Sequence, residues 1–347
     1  MTKAILERGQ LKKELFIFLI ITFVATYLLD FIVYMIFGVK TTANASVWGI
    51  TSIAHMLFPA TAAIICMVYF KSHALTRKTK IIFAFFLIYV VLFFFEGYFY
   101  KIIGTTTFLP LQLPLISSIV AVFGIITVII LNLKIKWRNG LEPSKLFIGR
   151  NLKYYIIIPL IFLIILILSY ILNYVTGLGV PVKEFNINLF VTTFIGLLIT
   201  GALLLWPSFF GEEYGWRVYL QDRLFPLIGG YKGVLVLGII WGVWHSGTII
   251  LGNNFPGQPI LGNLAMICFT ITAGIVFSYA VLKTGSVWVA VLLHLITDMT
   301  QTPSELYLAT SIDPVFSFGS GIYGSALMAI FAIILLKSKV WKINEVV

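Results

Sequence analysis

Three short segments in the second half of this 347-residue chain set ionisable side chains among apolar ones. The first reads Gly211-Glu212-Glu213-Tyr214-Gly215-Trp216-Arg217. Adjacent carboxylates repel, which makes a general base or acid near neutral pH available. On a helix Glu213 and Arg217 stand one turn apart and can pair, holding Glu213 ionised and leaving Glu212 freer to act. The plainer reading is a solvated cytoplasmic helix end with an ordinary salt bridge. The second segment is Trp241-Gly242-Val243-Trp244-His245, where a lone His on an apolar helix is more often a hydrogen-bonded core residue than a catalyst. The third is His294-Leu295-Ile296-Thr297-Asp298. A spacing of four stacks an imidazole and a carboxylate on one helical face, suited to a metal pair or to a His oriented by its carboxylate. Its bland alternative is an Asp that ends a span at the outer surface.

Taken together these weak signals strengthen one another, because two of the chain's four histidines follow a Glu-Glu pair in order. A carboxylate to activate water, with imidazoles to stabilise an oxyanion or hold a metal, is the minimum kit for amide hydrolysis. The same residue types also serve proton relays, so a proton-coupled transporter is a rival reading. A second rival is a non-catalytic membrane regulator that uses the charged centre for structure.

The elements that must position these groups are membrane spans. Only 11% of residues are charged and 60% are hydrophobic, with a mean hydropathy of +1.03, whereas soluble domains carry about 25% charged residues. Hydrocarbon cannot satisfy backbone N–H and C=O groups, so each crossing needs roughly 20 apolar residues wound as a helix. Ten stretches qualify, at about 15–37, 47–70, 81–99, 112–133, 154–173, 188–209, 233–251, 260–282, 286–300 and 319–336. The expected fold is therefore an all-α polytopic transmembrane bundle.

Alternating the loops across the bilayer puts 21 of the 24 Lys and Arg on one side, leaving Lys40, Lys101 and Lys183 on the other. By the positive-inside rule that basic side, with both termini, is cytoplasmic. The net charge of +11 is then explained by basic loops facing anionic headgroups, and no nucleic-acid partner is expected. The first apolar segment lacks a small-residue cleavage site and reads as a retained anchor.

Sequence character changes near residue 186. Residues 1–185 read as an N-terminal scaffold of about five spans, 186–310 as the catalytic membrane core, and 311–347 as a last span with a basic cytoplasmic tail. Pro207 is expected to kink the sixth span. The Gly238–Gly242 pair would let a neighbouring helix approach closely. No internal repeat is seen, which counts against a transporter of inverted repeats. Cys66 and Cys268 read as packing residues, His55 as a packed residue without an obvious partner, and His73 as a solvated loop residue. Asp30 and Glu96 are expected near outer span ends, within reach of water. The glutamates are expected near the cytoplasmic edge, shallower than His245 and His294 at roughly 18 and 12 Å.

The ordered set Glu212-Glu213-x-x-x-Arg217, Trp241 ahead of His245, and His294-x-x-x-Asp298 resembles the signature of the CPBP intramembrane proteases. That family takes in eukaryotic CAAX prenyl endopeptidases and bacterial proteins tied to bacteriocin processing and self-immunity. The likeness covers about residues 190–300 and implies an integral membrane endopeptidase, here of a bacterial plasma membrane. Its partners would be the lipid bilayer and a peptide or membrane-protein substrate, with pro-peptides of secreted peptides, prenylated tails and membrane-protein segments all left open by the sequence. By that resemblance Glu212 would activate water, Glu213 and Arg217 would support it, and His245, His294 and Asp298 would complete the centre. The family is described both as zinc-type metalloproteases, for which Glu212, His245 and His294 would hold the metal, and as glutamate proteases using no metal. In the second view His245 and the fourth-motif residue stabilise the oxyanion. Trp241 stands where the family usually shows Phe, a tolerable exchange for a packing role. An ionised Asp298 could not donate to an oxyanion, and would have to be protonated, orient His294 or bind metal.

Overall fold

The computed structural model describes residues 2–103, 114–181, 186–307, 309–311, 313–317 and 319–343. Each expected apolar stretch winds into a helix, since only helices satisfy their own backbone in lipid. In chain order these are α1 (Thr2–Phe37), α2 (Ala45–Tyr69), α3 (Arg77–Ile103), α4 (Leu115–Leu133) and α5 (Tyr154–Val175). There follow a helical run α6 (Ile187–Ile228), α7 (Gly230–Ile250), α8 (Pro259–Thr284), α9 (Trp288–Tyr307) and α10 (Ile322–Leu336). The first eight are long and apolar enough to cross a membrane, and the 20-residue α9 and 15-residue α10 complete the bundle. The expected start of the fourth span at residue 112, Lys183 and the boundary at residue 185 lie outside the described residues.

α1 shows the inversion that lipid imposes. Phe16, Val24, Leu28, Phe31 and Met35 form an exposed apolar stripe, while Thr22, Thr26 and Asp30 line the buried face. A helix in lipid gains nothing by hiding its apolar side chains, so polar groups turn inward to find partners. Thr22 and Thr26 donate to carbonyls one turn back, and Trp244 Nε1 donates to Thr26 Oγ1 at 2.8 Å.

The loops sort into two ends. At one end the Arg150 amide donates to the Thr284 carbonyl (2.8 Å), Lys145 Nζ pairs with Asp222 (2.5 Å), and the Arg8 guanidinium donates to the Leu227 carbonyl (3.3 Å). At the other, Lys40 donates through its amide to the Leu251 carbonyl and through Nζ to Asn253 Oδ1 (2.6 Å). There too Gln258 donates to Asp313 (3.2 Å), and β1 (Gly179–Pro181) pairs antiparallel with β2 (Ala309–Ser311). The basic loops thus share one end, as the alternation requires.

Several sequence expectations are corrected. Asp30 and His55 are both buried and pair at 3.0 Å between α1 and α2, so Asp30 does not reach water and His55 has a partner. Glu96 is also buried, because it accepts the Ile116 and Ser117 amides (both 2.8 Å) and so satisfies free N–H groups at the start of α4. Arg217 is not a loop cation: it is 0% exposed inside the bundle. The sixth span does not end near residue 209, because α6 continues to Ile228, and a hydropathy reading mistakes its paired charges for a helix end.

Close helix contacts hold α6 and α7 in place. A Cβ on Gly211 or Gly215 would overlap the α2 backbone at Met56 and Pro59, so α2 and α6 touch main chain to main chain. Gly238 and Gly242 face Ile271, Ile267 and Thr270 of α8, as the small-residue pair predicts, and Thr270 Oγ1 donates to the Gly238 carbonyl (2.9 Å).

Candidate active site

Residues Trp206–Glu213 of α6 are α-helical, between π-helical turns at Gly201–Leu205 and Tyr214–Leu220. Pro207 has no N–H to give the preceding turn, and the wider π turn absorbs that loss. Glu212 and Glu213 are 1% and 0% exposed, so the expectation of a solvated helix end is overturned. Nor do they lie shallower than the histidines, since they touch His294 directly.

Each carboxylate has its own partners. Glu213 accepts from His294 Nδ1 at 2.8 Å and pairs through Oε2 with Arg217 Nε at 3.3 Å, the i,i+4 pair that the sequence spacing allows. Arg217 lies against the Trp241 ring, its Cζ 4.2 Å from the centroid, with Phe277 on another side at 5.4 Å. Two aromatic faces and one carboxylate therefore surround a cation that lipid would not tolerate. Glu212 accepts from Trp241 Nε1 through Oε1. Its Oε2 stands 3.9 Å from His294 Nε2, and Asp298 Oδ1 is 3.8 Å from that same nitrogen. His294 is thus ringed by three carboxylates.

His245 reaches the same place from α7. Its Nδ1 lies 2.9 Å from the Trp241 carbonyl, an acceptor only, so in the neutral ring the proton sits on Nδ1 and Nε2 carries the lone pair. The ring packs edge-on against Trp244 at 4.8 Å. His245, His294 and Asp298 all line one cavity of about 100 Å³, with Trp241, Phe277 and Tyr170 among its other walls. Glu212 and Glu213 sit just behind that wall, reached past His294.

All six residues singled out in the sequence therefore gather in one place. The signals missed were Trp241 as a hydrogen-bond donor and the contributions of Phe277, Tyr170 and Asn254 to the cavity. Trp241 was legible only as an aromatic, and a Phe there could not donate to Glu212. Among the described residues no group of three or more His, Cys, Asp or Glu side chains is arranged to hold a metal ion. Glu213 accepts from His294 Nδ1, which leaves Nε2, facing Glu212 and Asp298, as the other ring nitrogen of the site. No step below is routed through a metal. Cys66 and Cys268 are free thiols, one buried and one exposed.

A family model described as type II CAAX prenyl endopeptidase Rce1-like matches residues 192–300, the stretch that holds every group above. The chain is also 30% identical over 203 residues to CAAX prenyl protease 2 of Methanococcus maripaludis, an alignment covering 55% of this chain and 72% of that protein.

Proposed function

The chain belongs to the CPBP family of Rce1-like intramembrane endopeptidases, and from that premise we propose that it hydrolyses peptide bonds of membrane-associated or pro-peptide substrates with Glu212 as general base. The observation that carries this reading is the pairing of Glu212 Oε2 with His294 Nε2 across 3.9 Å beside a cavity within the bundle. Glu212 Oε1 is occupied by Trp241, which leaves Oε2 to take a proton.

In the proposed reaction a water held against Glu212 Oε2 gives up its proton to that oxygen, and the hydroxide oxygen adds to the scissile carbonyl carbon. His294 donates to Glu213 from Nδ1, and as imidazolium it offers Nε2–H to the developing oxyanion. Asp298, with Oδ1 3.8 Å from Nε2, balances that charge, a role open to an ionised carboxylate that cannot donate to the oxyanion. The neutral His245 offers a lone pair rather than a proton, so its role is to hold the water and not the oxyanion. Collapse of the tetrahedral species breaks the C–N bond, and the proton taken by Glu212 passes to the leaving amine. The protein's setting is a plasma membrane, where residues 1–185 serve as the scaffold that fixes α6 and α7.

The test is direct. Purified protein in liposomes is mixed with membrane-anchored peptides, and new termini are sought by mass spectrometry for wild type and Glu212→Gln. Cleavage by wild type alone supports the reading; equal products from both would end it.

A further inference from the structure

α7 is interrupted at His245. Residues Gly230–Trp244 and Ser246–Ile250 are helical, but the His245 amide donates to the Gly242 carbonyl three residues back (3.1 Å). An unbroken α-helix would send that amide to the Trp241 carbonyl, which instead faces His245 Nδ1 at 2.9 Å. The break therefore frees the acceptor that fixes the imidazole. What grips the break is α1, a helix that carries none of the groups gathered at the centre. Its Thr26 accepts from Trp244 Nε1 (2.8 Å), and its Tyr27 donates a hydroxyl to the Val243 carbonyl (2.7 Å). One turn on, the Asp30 carboxylate fills the space over Gly247, where a Cβ would overlap Asp30 Oδ2 and crowd the Tyr27 ring. Residues on both sides of His245 are thus held by one face of α1.

Asp30 is in turn paired with His55 of α2, both of them buried. The His55 ring lies 6.2 Å from Trp244, and Trp244 packs on His245 at 4.8 Å, so the pair stands directly behind the histidine of α7. Ionisable groups are costly inside a membrane, and apolar side chains could join α1 to α2 without that cost. We propose that Asp30, held by His55, is a positioning residue of the centre: with Tyr27 it sets the break in α7 and hence the direction of the His245 ring. The consequence for rate rests on the hydrolase reading, whereas the consequence for the ring does not. The rate is sensitive to this because a misplacement of about 1 Å at a reacting group can cost about 100-fold.

The full chain, carrying isotope-labelled histidine in detergent, tests this by the imidazole nitrogen NMR signals of His245, identified by their loss in His245→Gln. Wild type is expected to show a neutral ring protonated at Nδ1. Asp30→Ala and Gly247→Ala should shift those signals toward the mixed tautomers of a mobile imidazole, and Tyr27→Phe should do so in smaller measure. Glu96→Ala, which loosens the start of α4 instead, should leave them in place. In liposomes Asp30→Ala should lose about 10- to 100-fold in kcat with KM within about twofold, and Asp30→Asn, which keeps the size of the side chain, should recover part of the loss. His245 signals that stay fixed in Asp30→Ala and Gly247→Ala, or that move as far in Glu96→Ala, would overturn the proposal. An unchanged kcat in Asp30→Ala beside an active wild type would overturn it equally. Where Asp30→Ala does not fold, Tyr27→Phe and Gly247→Ala decide by the same signals. A wild type without turnover would end the hydrolase reading alone, since the ring signals still decide the positioning.

Discussion

Trp241 donates its indole N–H to Oε1 of Glu212, while the same ring lies against the Arg217 guanidinium at 4.2 Å. One residue of α7 therefore fixes the proposed base and screens the buried cation behind it. A Phe at this position would keep the second contact and lose the first.

Trp241→Phe is accordingly expected to lower kcat by about 10- to 100-fold with little change in KM, because a buried carboxylate loses a charged hydrogen bond of about 1.5–3 kcal/mol. Steady-state hydrolysis in liposomes measures this, and an unchanged kcat would remove Trp241 from any role in orienting Glu212.

The two glutamates should part company on substitution. Glu212→Gln is expected to abolish turnover with the fold intact. Glu213→Gln leaves Arg217 buried without its counter-ion and should cost about 3–5 kcal/mol of stability. Replacing both members, as Glu213→Gln with Arg217→Met, should restore much of that stability but not activity. Thermal unfolding in detergent alongside turnover distinguishes these outcomes, and equal stability of all three variants would contradict the buried-pair account.

Asp30 and His55 clamp α1 to α2 at 3.0 Å, and Asp30 also backs onto Gly247 just after His245. His55→Ala should destabilise the bundle by about 3–5 kcal/mol as a buried partner is lost. A double-mutant cycle with Asp30→Asn should show coupling well above zero; strictly additive effects would mean that the contact carries no energy.

Glu96 accepts two amides at the start of α4, so Glu96→Ala should cost about 1–2 kcal/mol without altering kcat. Unfolding midpoints check the first part and turnover the second. A drop in kcat at full occupancy of the folded state would tie α4 to the chemistry.

Because the reaction is derived through Glu212 and the histidines alone, treatment with a strong chelator is expected to leave turnover unchanged. Elemental analysis of the purified protein accompanies the assay. Loss of activity that zinc restores would replace the glutamate mechanism with a metal-assisted one.

Composition and period alone determined that this chain is a bundle of membrane helices, because lipid permits no other way to satisfy the backbone of ten apolar runs. The positions of Lys and Arg likewise determined which loops share a side, and the spacings at Glu213–Arg217 and His294–Asp298 determined which side chains share a helical face. What hydropathy misread were charges that are hidden by pairing: Arg217 counted as a loop cation, Asp30 as water-accessible, and Glu212-Glu213 as a helix end. Apart from the Glu213–Arg217 pair, those contacts join residues tens of positions apart, and only the packing of the helices, such as α2 on the glycines of α6 and α7 on α8, brings them together.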